Sequence, residues 1–328
     1  MKLLQSSAIV IAAGLLTTAA PAQQPNNPAD AYLAAAKQAA AFDFAGTLSR
    51  LCVLPQTAPG ADAAPAPPPA RDTWITDSAK VFDNFYFVGT KIHSAWALTS
   101  SEGIILIDTL YDYTIDDAII GGLRKVGLDP AQVKYVIISH AHGDHVGGAK
   151  IMQERFGSRI VMGGPDWDYV EESKNRFPMG KPKKDITGTD GQKITLGDTS
   201  VTLVETPGHT YGTLSMVFQV KDKGKPVTVA YSGGTAFNFI NDVPHFDRYV
   251  ASQRKMGATA TAAGATILMS NHSEFDNAVN KIRMIAGRKA DEAHPFEIGG
   301  NAVGRYFKVT EQCAELAKFK LLQMPAKQ

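Results

Sequence analysis

From Val81 onward the chain alternates short apolar runs with turn residues. FYFVG (85–89) and WALTSSEGIILIDT (96–109) predict strands, the second folded into a hairpin at Ser-Ser-Glu-Gly. YTIDDAIIGGLRKVG (113–127) changes to a helical period and ends on a glycine suited to a left-handed cap. KYVIISHA (134–141) reads as a strand buried on both faces, AKIMQERFG as a helix and RIVMGG as another strand. QKITLGDTSVTLVETPGH and TLSMVFQVKDKGKPVTVAYSGG predict further antiparallel strands with Gly-Asp and Lys-Gly turns. A helix near 250–256, a strand over 265–271 and helices near 276–289 and 309–322 complete the pattern. Strand and helix runs occur in both halves, which favours an α+β arrangement of two sheets packed face to face with helices outside.

The N-terminal stretch has a different character. Lys2, the apolar run AIVIAAGLL (8–16) and the small-residue site Ala20-Pro21-Ala22 predict a signal peptide over 1–22, cut after Ala22. The run is too short to span a bilayer, so the expectation is a periplasmic or secreted protein without a membrane anchor. Residues 23–72 read as an alanine-rich helix (29–53) and a Pro/Ala-rich arm, LPQTAPGADAAPAPPPARD (54–72), leaving 73–328 as the catalytic domain.

Charge adds little. The 33 basic and 32 acidic residues nearly cancel, which offers no field for nucleic acid or an anionic membrane and leaves a small molecule as the expected partner. Cys52 and Cys313 are the two cysteines, near opposite ends of the chain. In an oxidising compartment they are candidates for a disulfide joining an N-terminal to a C-terminal helix; two buried thiols that never meet fit the sequence nearly as well.

The candidate chemistry is concentrated in SHAHGDHVGG (139–148), which holds three of the 8 histidines. On extended backbone His140 and His142 share a side, and Gly143 lets the chain turn so that Asp144 and His145 enter the same space. Imidazole nitrogens and a carboxylate are ligands that zinc prefers. A single histidine here would be read as a core residue; four ligand-type residues in six positions after a strand read as a metal site.

This stretch resembles the His-x-His-x-Asp-His signature of the metallo-β-lactamase fold superfamily, an αββα sandwich of two mixed sheets with helices on the outer faces. TPGHTYGTLS (206–215) resembles its second metal motif and offers His209; SNHSEF (270–275) offers His272; ILIDT (105–109) matches the early motif whose aspartate, Asp108, buttresses the metal loop. The resemblance implies two zinc ions per chain, one held by His140, His142 and His209 and the other by Asp144, His145 and His272. Many two-metal hydrolases of this fold carry a bridging aspartate in a stretch like Ser-Gly-Asp-Thr. Here the stretch is AYSGGTAFN (230–238), with Gly234 at that place. Its absence, with no cysteine ligand, resembles the third, all-His/Asp subclass of β-lactamases. VPHFDRYVASQRKM (243–256) and HPFEIGGNAVGRYF (294–307) are similar to that subclass as well.

That likeness implies a zinc-dependent β-lactamase in which a hydroxide shared by the ions opens the lactam amide, with Asp144 as the catalytic residue orienting it. The chain departs from the pattern at His272-Ser273, where proline commonly follows the histidine, and at Gly234, near which serine commonly meets the substrate carboxylate. Ser232, Thr235 and Asn238 are candidate replacements for that contact, and His245 is a weaker pocket candidate. His93 and His294 read as structural or exposed. Trp74, Tyr111, Trp167 and Phe237 are candidate groove residues. The competing readings are a lactone or other ester hydrolase of the same fold, a one-iron oxidoreductase and a binding module without catalysis.

Overall fold

The computed structural model describes residues 27–53, 67–174, 176–237 and 242–323. The expected signal segment, most of the proline arm and Asn238 lie outside the described residues.

Alternation along the strands builds the layers. One sheet runs β1 (Ala79–Phe82), β2 (Phe85–Phe87), β3 (Trp96–Ser100), β4 (Gly103–Ile107), β5 (Val133–Ile137), β6 (Arg159–Gly163), β7 (Ile186–Gly188), in that order. β1 to β4 are antiparallel and β4 to β7 parallel. The other is formed by β8 (Lys193–Leu196), β9 (Thr199–Glu205), β10 (Leu214–Asp222), β11 (Lys225–Ser232) and β12 (Ile267–Ser270), ordered β12-β11-β10-β9-β8, with only β11 and β12 parallel among them.

Successive side chains of a strand point to opposite faces. On β4, Ile105 and Ile107 enter the cluster between the sheets with Met216, Tyr231 and Met269. Ile104 and Leu106 go the other way, to a cluster shared with Ile119, Leu123 and Trp167 of the helices covering that face. β12 divides likewise: Ile267 and Met269 face inward, while Leu268 packs with Tyr249 and Tyr306. Those tyrosines belong to the helices Val243–Ala262 and Gly300–Gln323. With both faces of each sheet buried, central strands read as unbroken apolar runs, and the expected αββα sandwich is what forms.

Two sequence expectations change. The helix expected over 29–53 is broken: Pro28–Ala40 ends at Ala41, which has φ 45°, and the chain resumes as short helical turns, Ala45–Leu48 and Ser49–Val53. This kink leaves Phe42 exposed and turns Phe44 into the core, edge-on to Tyr306 with ring centroids 5.4 Å apart. The helix near 250–256 spans Val243–Ala262; the Asp242 side chain accepts from the His245 N–H and sets its start earlier. β1, β7 and the helix Gly164–Glu172 had no clear periodic signature, because elements of three or four residues, or one opened by Gly-Pro, hold too few periods to read.

Small side chains, Ala36, Ala39 and Ala40, let the N-terminal helix pack closely on Gly300–Gln323. Cys52 is bonded to Cys313 of that helix, with Cα atoms 4.9 Å apart. Among the described residues no helix is long and apolar enough to cross a membrane.

Candidate metal centre

The strand β5 delivers the chain to the end of the first sheet, where 138–142 form a bent loop with His142 extended, and Gly143–Val146 make one helical turn. This short turn aims Asp144 and His145 toward one side of the loop and leaves His140 and His142 facing His209. His140 Nε2 and His142 Nδ1 each lie 3.0 Å from His209 Nε2. His145 Nε2 and His272 Nε2 each lie 3.2 Å from Asp144 Oδ2, and 3.1 Å from one another. Tetrahedral zinc with bonds of about 2.0–2.1 Å sets its ligand atoms roughly 3.3 Å apart, a spacing both groups match.

Hydrogen bonding at the far side of each ring decides what these nitrogens can do. His140 Nδ1 lies 2.8 Å from the Gly233 carbonyl and His209 Nδ1 2.6 Å from that of Ala236. His145 Nδ1 lies 3.0 Å from the Asp108 carboxylate. Carbonyl and carboxylate oxygens only accept, so each Nδ1 donates its proton, and the neutral rings of His140 and His209 present bare Nε2 lone pairs. The Nε2 lone pairs of His140 and His209 thus converge with no hydrogen between them. A cation between them turns that repulsion into ligation, so the donor set fits a metal ion.

Charge follows the same logic. Burial holds His140 and His209 well below the ordinary imidazole pKa, and lowers His142 to about 4 and His93 to about 3, so all four rings are neutral at pH 7. Asp144 is pushed up by burial, but His145 and His272 outweigh this and hold its carboxyl well below the usual range. For His145, burial favours the neutral ring, while Asp144 and Asp108 on either side outweigh it and raise the pKa to about 10.

Buried polar groups hold the loop in place. Asp108, in the left-handed region at φ 61°, accepts from Ser139 N at 2.7 Å and Ser139 Oγ at 2.8 Å as well as from His145. Asp166 and Asn271 were not singled out in the sequence. Asp166 accepts from Ala141 N at 2.7 Å, Thr210 Oγ1 at 2.8 Å and Gly212 N at 2.9 Å, joining the loop of His140 and His142 to that of His209. Asn271 donates to the Gly233 carbonyl at 2.7 Å, backing the acceptor of His140. A buried carboxylate or amide has no sequence signal; only the fold reveals its donors.

A cavity of about 360 Å³ opens over both groups, lined by His142, His209, His272, Arg50, Arg176 and Tyr111 among others. Arg50 reaches it from the segment ahead of the expected catalytic domain. Thr235 lines the cavity, with Oγ1 2.7 Å from the Tyr306 hydroxyl. Ser232 is buried beneath, 3.3 Å from Thr235 Oγ1, and does not line it. His245 stacks on Tyr211 at 4.6 Å on the Val243–Ala262 helix, away from the lining, so the pocket expectation for it fails. Of the four aromatic groove candidates Tyr111 alone lines this cavity; Trp74, Trp167 and Phe237 are packed in the core. His294 is structural as expected: its Nε2 lies 2.9 Å from the Val81 carbonyl and its ring stacks on Phe82. His93 is not. Its Nε2 lies 3.4 Å from Asp144 Oδ2, beside His272.

Gly234 explains more than a missing acid. A Cβ there would lie 2.5 Å from His209 Cβ and 2.9 Å from its Cγ, so the His209 side chain occupies the space a side chain at 234 would need. The His209 ring cannot yield without losing its bond to Ala236. Gly234→Asp is therefore expected to displace His209 and weaken zinc binding about tenfold or more, read by chelator competition. An aspartate variant that binds zinc as tightly as the parent would refute this steric account.

Comparison with known proteins agrees with this geometry. Residues 88–249 match the family profile of the metallo-beta-lactamase superfamily. BJP-1, a subclass B3 metallo-beta-lactamase of Bradyrhizobium japonicum, is 28% identical, with a TM-score of 0.63 over 72% of this chain and 92% of that one. A variant of the FEZ-1 enzyme from Legionella gormanii, 20% identical, shares the fold with a TM-score of 0.67 over 76% of this chain and 98% of its own. An N-acyl homoserine lactonase from a Bacillus species is 27% identical over 175 residues, 45% of this chain and 67% of that protein. A hydroxyacylglutathione hydrolase from Acidiphilium cryptum is 32% identical over 87 residues, 26% of this chain and 31% of that protein. Profile, fold and the converging imidazoles together make the chain a member of the metallo-beta-lactamase superfamily of hydrolases.

Proposed function

We propose that the chain is a β-lactamase that binds two zinc ions, with His140, His142 and His209 holding one and Asp144, His145 and His272 the other. The observation that carries the metal reading is the convergence of bare imidazole nitrogens 3.0 Å apart. Bound zinc supplies a Lewis acid and lowers the pKa of water to about 7. The residues around it do the rest. Asp144 orients the attacking group through its carboxylate. Asp108 and Asp166 keep the loop in register, and burial keeps the rings of His140, His142 and His209 neutral. Arg50 and Arg176 line the cavity where the carboxylate common to β-lactams would sit.

Gly234 supports the lactam reading over the lactone one, because glycine supplies no bridging carboxylate and the His209 side chain occupies the space a Cβ there would need. The likeness to BJP-1 points the same way. The leader read in 1–22 and the Cys52–Cys313 bond fit an exported, periplasmic enzyme whose catalytic domain spans 73–328. A second reading, hydrolysis of a lactone or thioester, is favoured by the sequence match to the lactonase and the hydroxyacylglutathione hydrolase.

Initial rates on a penicillin, a chromogenic cephalosporin, a carbapenem, an acyl homoserine lactone and a glutathione thioester, with zinc content measured in parallel, separate the readings. The expected result is two zinc ions per chain and β-lactam turnover lost to chelator and restored by zinc. Zinc-loaded protein that spares every β-lactam and opens the lactone would replace the first reading by the second.

A further inference from the structure

Beyond the six motif residues, we infer that His93 is a fourth protein ligand of the second ion, closing the site that Asp144, His145 and His272 begin. The inference rests on the two-ion reading above and adds to it a difference between the ions.

Backbone pairing puts His93 there. It lies between β2 and β3, opposite His272 in an isolated antiparallel bridge. Ser94 N donates to the Asn271 carbonyl and Ser273 N to that of Ile92, each at 2.8 Å. His93 N also donates to Thr90 Oγ1 at 3.0 Å. Paired residues on a bridge carry their side chains to the same face, and the His93 and His272 rings are 4.8 Å apart, centroid to centroid. Tyr111 meets the His93 ring edge-on at 5.2 Å and holds it from the other side. The ring is therefore placed by main chain on one flank and an aromatic on the other.

Its Nε2 reaches the ligand cluster. The distances from Asp144 Oδ2 to the Nε2 atoms of His93, His145 and His272 are 3.4, 3.2 and 3.2 Å. All three lie near the edge of roughly 3.3 Å set by tetrahedral zinc with bonds of about 2.0–2.1 Å. Ligand atoms of His93, Asp144 and His272 all lie within 4.8 Å of one another.

Four protein donors fill a tetrahedron, whereas His140, His142 and His209 fill three corners of theirs. A closed coordination shell is the mark of a structural zinc, and an open position that of a catalytic one. The first ion would then offer the position for water and substrate. The second would be held tightly and fix Asp144, and a substrate group could reach it only by displacing His93.

Cobalt(II) titration of the full chain tests this without relying on turnover. His93→Phe and His93→Asn are each expected to weaken the second cobalt about 10- to 100-fold, leave the first unchanged and diminish the intense tetrahedral visible band of the second ion. An unchanged first ion also shows that the variant is folded. Two variants with the parent's second affinity and spectrum would overturn the role of His93 while sparing the two-ion reading. Loss of both ions together in both variants would overturn it as well, as a purely structural effect. A parent chain that takes up one cobalt or none would overturn the two-ion reading and this inference with it.

Discussion

Asp108→Ala is expected to destabilise the protein by about 3–5 kcal/mol, the cost of removing one partner from a buried charged hydrogen-bonded group. The carboxylate is fully buried and satisfies three donors, Ser139 N, Ser139 Oγ and His145 Nδ1. Alanine leaves all three without an acceptor, and it must also adopt the left-handed backbone at φ 61°, which costs a non-glycine residue about 1–2 kcal/mol. Aspartate and asparagine tolerate that region, so Asp108→Asn keeps the backbone and shape but replaces one of the two accepting oxygens, as well as the charge, by an NH2 that can only donate. Zinc affinity should fall about 10- to 100-fold in the alanine variant and less in the asparagine one, because His145 loses the bond that orients its ring. Denaturant unfolding of the metal-free protein and zinc competition measure the two effects separately. An alanine variant that unfolds at the parent's midpoint and holds zinc equally would show that Asp108 carries no such burden.

Breaking the Cys52–Cys313 bond comes next in size. The bond joins residues 261 apart in sequence, and cross-links over long loops stabilise by restricting the unfolded chain, by about 3–5 kcal/mol. Replacing both cysteines by serine should lower the thermal midpoint by roughly 5–10 °C. A local effect should accompany it. Arg50, two residues before Cys52, lines the cavity, so freeing this segment is expected to raise KM while kcat changes little. Equal midpoints with and without the bond would refute the global part, and an unchanged KM the local one.

The likeness to both β-lactamases and lactonases has a physical basis. The His/Asp cluster prepares a metal centre and says little about the acyl group presented to it; side chains around the cavity choose the substrate. Here those side chains come from distant segments: Arg50 ahead of the first sheet, Tyr111 after β4, Arg176 between β6 and β7 and Thr235 after β11. No single stretch of sequence displays them as a set.

The sequence by itself determined the layers and the ligand motifs. Unbroken apolar runs mark β4 and β12 as strands buried on both faces, and His140, His142, Asp144 and His145 declare themselves because they lie within six positions. Such features are local: their meaning depends on neighbours a few residues away. His93, Asp166, Asn271 and Arg50 acquire their positions only through long-range contacts. His93 is an isolated histidine in a loop until its pairing with His272 sets it against Asp144. Asp166 is one acid among many until two loops turn their donors toward it. Whether Cys52 would meet Cys313 was likewise a question of distance across the folded chain, which spacing along the sequence does not encode. Tertiary structure decided these because burial, lone-pair direction and donor spacing exist only once distant segments share the same space.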